Sequence, residues 1–249
     1  MTALRLLCAT ASAYFISACV TRSRVPVDHA PEMAAQHGLD GFRKAMSDTV
    51  ASVLGFRNAD EGRRSRLGSP ISVFEPACNA IFGVRDSAMS IDPRDPMGPT
   101  KLYYPILGDS DRKVSLILVT KLTGKENYGP AGDWSAVKIG SRSLMGNLNA
   151  VMVVQPQERK SSFFVLQSYE LGAAFLGYEA GGEVRLIPVL MSDSATACLK
   201  SSSSGNDLTV AATYFTLGRC FDREVVCKEF DENDLRALGL ETTADDKKP

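Results

Sequence analysis

The spacing of apolar residues divides the chain into a helical part and a β-rich part. Between Leu39 and Leu54 apolar residues recur at steps of three and four, and Gly55 follows. This spacing predicts an amphipathic helix that ends near Gly55, with its apolar stripe packed in the core. From residue 101 onward the apolar runs have the length of strands and are separated by turn sequences such as GDSDR and EAGGE.

Eight segments after residue 100 therefore predict strands. They are KLYYPIL (101–107), KVSLILVTKL (113–122), NAVMVVQ (149–155), SFFVLQSY (162–169), AAFLGY (173–178), VRLIPVLM (184–191), DLTVAATYF (207–215) and CFDREVVCKEF (220–230). Short consecutive strands joined by tight turns favour antiparallel pairing. Several are apolar on both faces, so we expect a sheet that is covered on both sides or closed on itself. Pro188 predicts an edge position or a bulge, because proline has no amide hydrogen for a central ladder.

The predicted fold class is α+β. We expect a predominantly antiparallel β meander, arranged as a sheet, a sandwich or a barrel, with the N-terminal helix and a short C-terminal helix in DENDLRALG (231–239). A chain of 249 residues with 44% hydrophobic residues suits one such globular domain, which we place at residues 38–240. The tail at 241–249 is polar and is predicted to be disordered.

The first residues have the pattern of an export signal. Arg5 precedes an apolar run from Leu6 to Ile16, and Ser17-Ala18-Cys19 follows. The run is shorter than the roughly 20 residues that a transmembrane helix needs. The segment Ile16 to Cys19 resembles the lipobox of bacterial lipoproteins, which is a branched apolar residue, two small residues and a cysteine.

That resemblance implies a signal peptide at 1–18, lipidation of Cys19 and attachment to the membrane through the acyl chains. Val20, which is not Asp, implies the outer membrane, facing the periplasm, in the enterobacterial sorting pattern. The alternative is an ordinary cleaved signal with Cys19 free or disulfide-bonded. Residues 19–37 are polar, contain two prolines and predict a flexible tether.

The cysteine content fits an exported protein. Apart from the cysteines at positions 8 and 19, four remain, namely Cys78, Cys198, Cys220 and Cys227. An even number in an oxidising compartment indicates two disulfides. If 220–230 is one extended strand, Cys220 and Cys227 lie about 23 Å apart and cannot bond each other. Each is then expected to pair with Cys78 or Cys198, with free buried thiols as the alternative.

The charge balance gives no general attraction to nucleic acid. Removal of residues 1–18 takes away Arg5 and leaves 27 basic and 29 acidic residues, a net charge of −2. Two local features are candidate partner contacts: the arginine run Arg63, Arg64 and Arg66, and the single tryptophan, Trp134. The competing interpretations are a solvated charged loop and a tryptophan that covers the core at the start of a strand.

The sequence predicts no catalytic residue, cofactor or metal. His29 and His37 lie in or beside the predicted tether, so a Ser-His or Cys-His mechanism has no imidazole inside the predicted domain. Acidic pairs such as Asp92 with Asp95 occur in turn sequences, where aspartate is favoured for its backbone hydrogen bonds.

These observations favour a membrane-anchored module of the bacterial envelope that binds a protein or glycan partner without catalysis. A carrier of lipid-like ligands inside a β-barrel is one alternative, and it requires a large apolar cavity. The other is a hydrolase that acts on the cell wall, which requires two carboxyl groups about 5 to 10 Å apart in a cleft.

Overall fold

A computed structural model describes residues 27–223, except residues 86, 88, 89, 96, 126–128, 157–161, 170 and 203–207. The strands are β1 Val27–Asp28, β2 Arg66–Leu67, β3 Ile71–Phe74, β4 Lys101–Leu107, β5 Lys113–Lys121, β6 Trp134–Ile139, β7 Phe164–Ser168, β8 Ala173–Ala180, β9 Glu183–Met191 and β10 Leu208–Thr209. The helices are α1 Pro31–Lys44, α2 Asp48–Leu54, α3 Ala59–Arg63, α4 Cys78–Phe82, α5 Arg142–Val154, α6 Asp193–Ser202 and α7 Val210–Cys220. The predicted α+β class is confirmed.

The described strands form one open sheet in the order β1-β6-β5-β4-β3-β7-β8-β9-β10, with β2 pairing beside the end of β4. Neighbouring strands are antiparallel, except for β3 and β7, which are parallel. The sheet therefore consists of two antiparallel meanders joined along one parallel pair. The described path ends at β1 and β10, so these strands do not close into the barrel that the carrier hypothesis required.

Helices cover both faces of the sheet, as the apolar strands predict. On one face α1 and α2 pack against one meander, with Leu39 and Ile117 in a shared core. On the same face α4, α6 and α7 pack against the other meander, around Phe164 and Leu186. On the opposite face α5 packs through Leu144, Leu148 and Met152 against strands of both meanders. Both faces are therefore apolar because each contacts a helix.

Helix α5 crosses the sheet and does not follow one strand. It packs against β5 and β9, which are separated in the sheet by four other strands. Its 13 residues span about 20 Å at 1.5 Å per residue. Five strand spacings of about 4.8 Å amount to about 24 Å, so the helix spans most of this face. The two ends of α5 consequently lie over different parts of the sheet.

The N-terminal helix is divided in two. The prediction of one helix from Leu39 to Gly55 is correct at its end, where Gly55 adopts φ 92° in the left-handed region and ends α2. It is wrong in the middle, because α1 ends at Lys44 and α2 begins at Asp48. The Ser47 side chain accepts a hydrogen bond from the Val50 amide and starts the new helix.

The predicted tether is too long on its C-terminal side. Within 19–37, the pair Val27–Asp28 forms β1 beside β6, and α1 begins at Pro31. The prolines of this segment predict irregular chain, but Pro31 lies in the first turn of α1, where proline is well suited. Ala34 and Ala35 are buried against the sheet and hold this turn in the fold.

Two strand predictions near helices are wrong, and a third is wrong in the residues that the structure describes. Segment 149–155 belongs to α5, and segment 207–215 has two strand residues before α7 begins at Val210. Cys220 ends α7, so segment 220–230 does not begin as a strand, and its residues beyond 223 lie outside the described part, as does the predicted helix 231–239. In α7 the Thr209 side chain accepts from the Ala212 amide, and the helix buries Val210, Tyr214 and Leu217 on one face.

The other predicted strands are confirmed as β4, β5, β7, β8 and β9. The prediction for Pro188 is confirmed as well. The pairing of β8 with β9 shifts register between Ala174 and Phe175, which face Leu190 and Pro188. Val189 is therefore the extra residue of a bulge next to the proline. On the other side of β9, β10 pairs with Arg185 and Leu186 and does not require a proline amide.

A disulfide joins α6 to α7. Cys198 and Cys220 are bonded with their Cα atoms 6.0 Å apart, which confirms one of the two pairings expected for Cys220. Cys78, at the start of α4, is disulfide-bonded as well. The bond between Cys198 and Cys220 fixes α6 against α7 on one face of the second meander.

Candidate functional site

A cleft of about 600 Å³ opens between one end of the sheet and the C-terminal end of α5. Its volume lies in the range of typical ligand pockets. Helix α5 provides Asn149, Met152 and Val153, while the loop that joins β2 to β3 provides Ser69 and Pro70. The apolar floor and the α5 wall give the cleft a surface on which an apolar segment of a partner can lie.

Backbone geometry at the ends of β2 and β4 shapes the floor. The Gly68 amide donates to the Pro105 carbonyl at 2.7 Å, after which Ser69 and Pro70 turn the chain into β3. Leu107 ends β4, and the turn that follows has Ser110 and Asp111 at φ 56° and 60°. Aspartate tolerates this left-handed region better than most residues. The turn brings Asp111 to the rim of the cleft.

Charged side chains line the rim on the β2 side. Arg66 forms an ion pair with Asp111, and Lys113 at the start of β5 also lines the cleft. The Arg66 and Asp111 side chains are about two-thirds exposed, so water screens their attraction and the pair contributes little to stability. Both side chains therefore remain accessible to a polar partner.

Glu61 fixes the turn that carries this rim. Its side chain is 1% exposed and accepts hydrogen bonds from the Arg57 amide at 2.6 Å and from the Asp109 amide at 3.1 Å. Arg112 donates to both carboxylate oxygens, at 2.9 and 3.1 Å. Burial alone raises the pKa of Glu61, but the hydrogen bonds from Arg57, Arg112 and Asp109 outweigh it and lower the pKa below the ordinary value. The charged form of Glu61 therefore holds α3 to the turn between β4 and β5.

The structure separates the three arginines of the predicted contact run. Arg63 pairs with Asp60 at 2.9 Å and donates to the Met46 carbonyl at 3.1 Å. Arg64 lies 3.4 Å from Asp109, and Arg66 pairs with Asp111. Each arginine thus has a carboxylate partner within the fold, and Arg66 is the member of the run that lines the cleft.

Trp134 lies far from the cleft, at the first residue of β6. It pairs in register with Lys121 and with Asp28, and its partly buried side chain packs against the core beneath α1. This position fits the interpretation of a tryptophan that covers the core at the start of a strand. The structure does not bring Trp134 together with the arginine run at one site.

Both histidines belong to the fold, which corrects their placement outside the domain. His37 lies in α1, with its Nδ1 atom 2.8 Å from the buried carboxylate of Asp28. The Nδ1 atom of His29 lies 2.8 Å from Asp133, which precedes β6. The correction follows from α1 beginning at Pro31. These two contacts join the first described residues to the edge of the sheet.

The acidic pairs have the backbone contacts of turn residues. Asp92 accepts from the Arg94 amide at 3.0 Å, and Asp95 accepts from the Met97 amide at 2.8 Å. Among the described residues that line the cleft, Asp111 is the one carboxylate. The pair of carboxyl groups that the hydrolase hypothesis requires is therefore not found in this cleft. Cys19 and Cys227 lie outside the described residues.

The chain enters the fold at the end of the sheet opposite the cleft. Val27 pairs with Ser135, which pairs with Thr120 near the C-terminal end of β5. Lys113, at the other end of β5, lines the cleft. Lys113 and Thr120 are seven residue steps apart along β5, which is a distance of about 23 Å. An attachment through residues before Val27 thus lies away from the cleft.

A cluster of tyrosines lies on the α5 face of the sheet. The hydroxyl group of Tyr103 donates to Oε1 of Gln167 at 2.5 Å, and both side chains are buried. Burial, together with the neighbouring Tyr169 and Glu75, raises the pKa of Tyr103 well above its ordinary value. The pKa of Tyr169 is also raised, chiefly by burial. The ring of Tyr169 contacts the ammonium group of Lys101. Both phenols are therefore neutral at physiological pH.

Sequence reasoning did not find the cleft because its α5 wall was assigned to a strand. A scan against known family models finds no matching family, and searches of curated proteins and of solved structures find no similar protein. In the part of the chain that the structure describes, no helix combines the length and apolar character required to cross a bilayer. Within the same residues, His, Cys, Asp and Glu side chains do not gather in groups of three or more that could hold a metal ion.

Proposed function

We propose that the protein is a lipoprotein of the bacterial envelope, anchored through Cys19, whose α+β domain binds a protein or glycan partner in the cleft beside α5. The proposed location is the outer membrane, with the domain in the periplasm. The observation that carries the proposal is the position of the cleft, at the end of β5 opposite the entry of the chain.

The covalent distances support this arrangement. Eight Cα–Cα steps lead from Cys19 to Val27, so the connection extends to at most about 29 Å. The domain then stays close to the membrane that holds the acyl chains. Because β1 is the attached edge and the cleft lies about 23 Å away along β5, the cleft is available to a partner on the far side of the domain.

The surface of the cleft suits a macromolecular partner. The walls are partly apolar, and Val153 is 65% exposed beside them. The rim carries both signs of charge, in Arg66, Asp111 and Lys113. Apolar surface surrounded by charged groups is typical of binding surfaces, in which the apolar part supplies affinity and the rim supplies orientation.

The anchor is tested by the intact mass and phase partitioning of the protein from its native membrane, for wild type and for Cys19→Ala. We expect a mature chain that begins at Cys19 with the added mass of acyl chains, and a variant that moves to the aqueous phase. Cleavage at another residue with an unmodified Cys19 would refute the anchor.

The binding surface is tested separately by photo-crosslinking in cells from position 153, with position 53 as the matched control. Both sites are exposed valines on helices, but Val53 lies on α2, on the other face of the sheet. We expect a discrete adduct from position 153 that the additional change Lys113→Glu weakens. Equal adducts from both positions, or none from position 153, would contradict a partner in the cleft.

A further inference from the structure

A short turn before β4 carries a methionine that is almost fully exposed. The Met97 side chain is 93% exposed, the highest value among the large apolar side chains of the described residues. A single exposed apolar residue is common on protein surfaces. Here, however, hydrogen bonds and an arginine fix the backbone around it. We call residues 92–98, without residue 96, the Met97 turn.

Asp95 holds the backbone of the Met97 turn. Its side chain accepts a hydrogen bond from the Met97 amide at 2.8 Å, and its carbonyl accepts from the Gly98 amide at 2.9 Å. Gly98 has φ 87°, a conformation that glycine adopts without strain. Pro93 and Pro99 restrict the backbone on either side, because the proline ring fixes φ. These contacts leave the Met97 side chain in solvent while its backbone is already ordered.

Arg94 attaches the Met97 turn to the sheet. Its Nη2 atom lies 2.6 Å from Oε1 of Glu179 in β8, and its guanidinium group lies over the ring of Phe164, 5.7 Å from the centroid. The Nε atom of the same side chain donates to Oδ1 of Asp92 at 2.8 Å. Ile91, just before the turn, packs against the core cluster that contains Phe164. The turn therefore lies on the face of the sheet that α4, α6 and α7 cover, whereas the cleft lies on the α5 face.

The fixed backbone favours binding through Met97. Association loses less conformational entropy when the binding loop is already ordered. Methionine is unbranched and polarisable, so its side chain adapts to apolar pockets of different shape, and it is frequent on surfaces that bind other proteins. Full burial of such a side chain strengthens binding by about tenfold or more.

The charges beside Met97 restrict the kind of partner. Three carboxylates, those of Asp92, Asp95 and Glu179, belong to the turn or contact it. The one guanidinium group of Arg94 offsets part of this charge, so the four groups together have a net charge of −2. A surface of this sign repels the anionic lipids of a bilayer and attracts basic side chains.

We propose that the Met97 turn is a contact surface for a second protein, in which an apolar pocket surrounded by basic residues receives the Met97 side chain. The described residues that line the cleft include none of the turn. The inference depends neither on an anchor at Cys19 nor on binding in the cleft, so it goes beyond the proposed function.

The test is the oxidation of methionine by hypochlorous acid, measured by peptide mapping as the rate of sulfoxide formation. Met33 in α1 is the matched control, because its side chain is also exposed, at 55%. In the purified protein we expect Met97 to react faster than Met33. In intact cells of the native organism the ratio of the two rates should fall, by about tenfold where nine-tenths of the protein is bound. An equal ratio in cells and in purified protein would overturn the proposal.

Two variants test the charge while they keep the hydrogen-bond acceptors. Asp95→Asn retains an oxygen for the Met97 amide, and Glu179→Gln retains one for Arg94. Each should raise the oxidation of Met97 in cells by about two- to fivefold. Glu183→Gln, at the start of β9, is the matched control and should leave the rate unchanged. Equal rates in all three variants would contradict a basic partner.

A photo-crosslinking residue at position 97 identifies what covers the side chain in cells. We expect a protein adduct of one discrete mass from position 97, and no such adduct from the exposed control position 53 on α2. Adducts with lipid in place of protein would overturn the proposal, because they would place Met97 in the bilayer.

Discussion

Removal of the buried carboxylate of Glu61 should destabilise the whole domain. In Glu61→Ala the Arg57 and Asp109 amides lose the acceptor that now lies 2.6 and 3.1 Å away. A hydrogen bond to a charged group contributes about 1.5–3 kcal/mol, and these two bonds are partly buried. Arg112 is 41% exposed and can regain water, so its charge adds little to the cost. We therefore expect a loss of about 3 kcal/mol in the free energy of unfolding.

The measurement is urea unfolding with the disulfides intact, followed by the fluorescence of the single tryptophan and by circular dichroism. Asp60→Ala is the matched control, because Asp60 is the neighbouring acid in α3 and its pair with Arg63 is exposed. The free energy of unfolding of Asp60→Ala should be lower than that of the wild type by less than about 0.5 kcal/mol. If the two variants lose the same amount, or if Glu61→Ala loses less than about 1 kcal/mol, Glu61 does not hold the turn as described.

The pH dependence gives a second check on the same residue. The folded state lowers the pKa of Glu61 below 4.5, so its stabilising contribution is present above that value. The contribution is lost as the pH falls through the lowered pKa, when the carboxylate takes up a proton. The difference in stability between wild type and Glu61→Ala should therefore be constant near neutral pH and shrink below about pH 4.5. A difference that persists unchanged at pH 2 would contradict a role for the charged form.

Two further predictions concern packing and disulfides. A Cβ atom at Gly177 in β8 would lie 2.3 Å from the ring of Phe164, so Gly177→Ala should lose about 1–3 kcal/mol in urea unfolding. At Gly146 in α5 an added Cβ atom meets open space, so Gly146→Ala should raise the free energy of unfolding by about 0.5–1 kcal/mol. A gain in stability at both positions would refute the packing of Phe164 on β8. The sequence predicts that Cys220 and Cys227 each form a disulfide with Cys78 or Cys198. Since Cys220 is bonded to Cys198, we expect Cys227 to be bonded to Cys78. Peptide mapping without reduction should find that bond, and a free thiol at Cys227 would contradict it.

Local signals in the sequence determined much of the sheet. The apolar runs that became β4, β5, β7, β8 and β9 are bounded by glycine, proline and aspartate turns, so their position and antiparallel direction could be read directly. Pro188 predicted an edge position or a bulge, because the missing amide hydrogen constrains any strand that contains it, and the structure has the bulge. Gly55 marked a helix end because it adopts the left-handed region without strain.

Tertiary contacts decided the elements whose local preference is ambiguous. In α5 the residues Leu144, Leu148 and Met152 have helical spacing, but the valine-rich segment 149–155 taken alone also suits a strand. Burial of that helical stripe against both meanders selects the helix. The four-residue strand β3 was not predicted, because its parallel pairing with β7 joins segments about 90 residues apart.

The candidate sites also divide into those that a local sequence pattern predicts and those that require tertiary contacts. The sequence predicts Arg66 as a candidate partner contact, but its place at a cleft follows from the packing of α5 across the sheet, which no local pattern contains. The Met97 turn is fixed by Arg94, Glu179 and Phe164, which come together from three separate segments. By contrast, the proposed lipobox at Ile16 to Cys19 is a contiguous motif, which requires no tertiary contact to be found. The sequence alone therefore predicts the anchor, whereas only the tertiary structure brings together the residues that line the cleft and those that fix the Met97 turn.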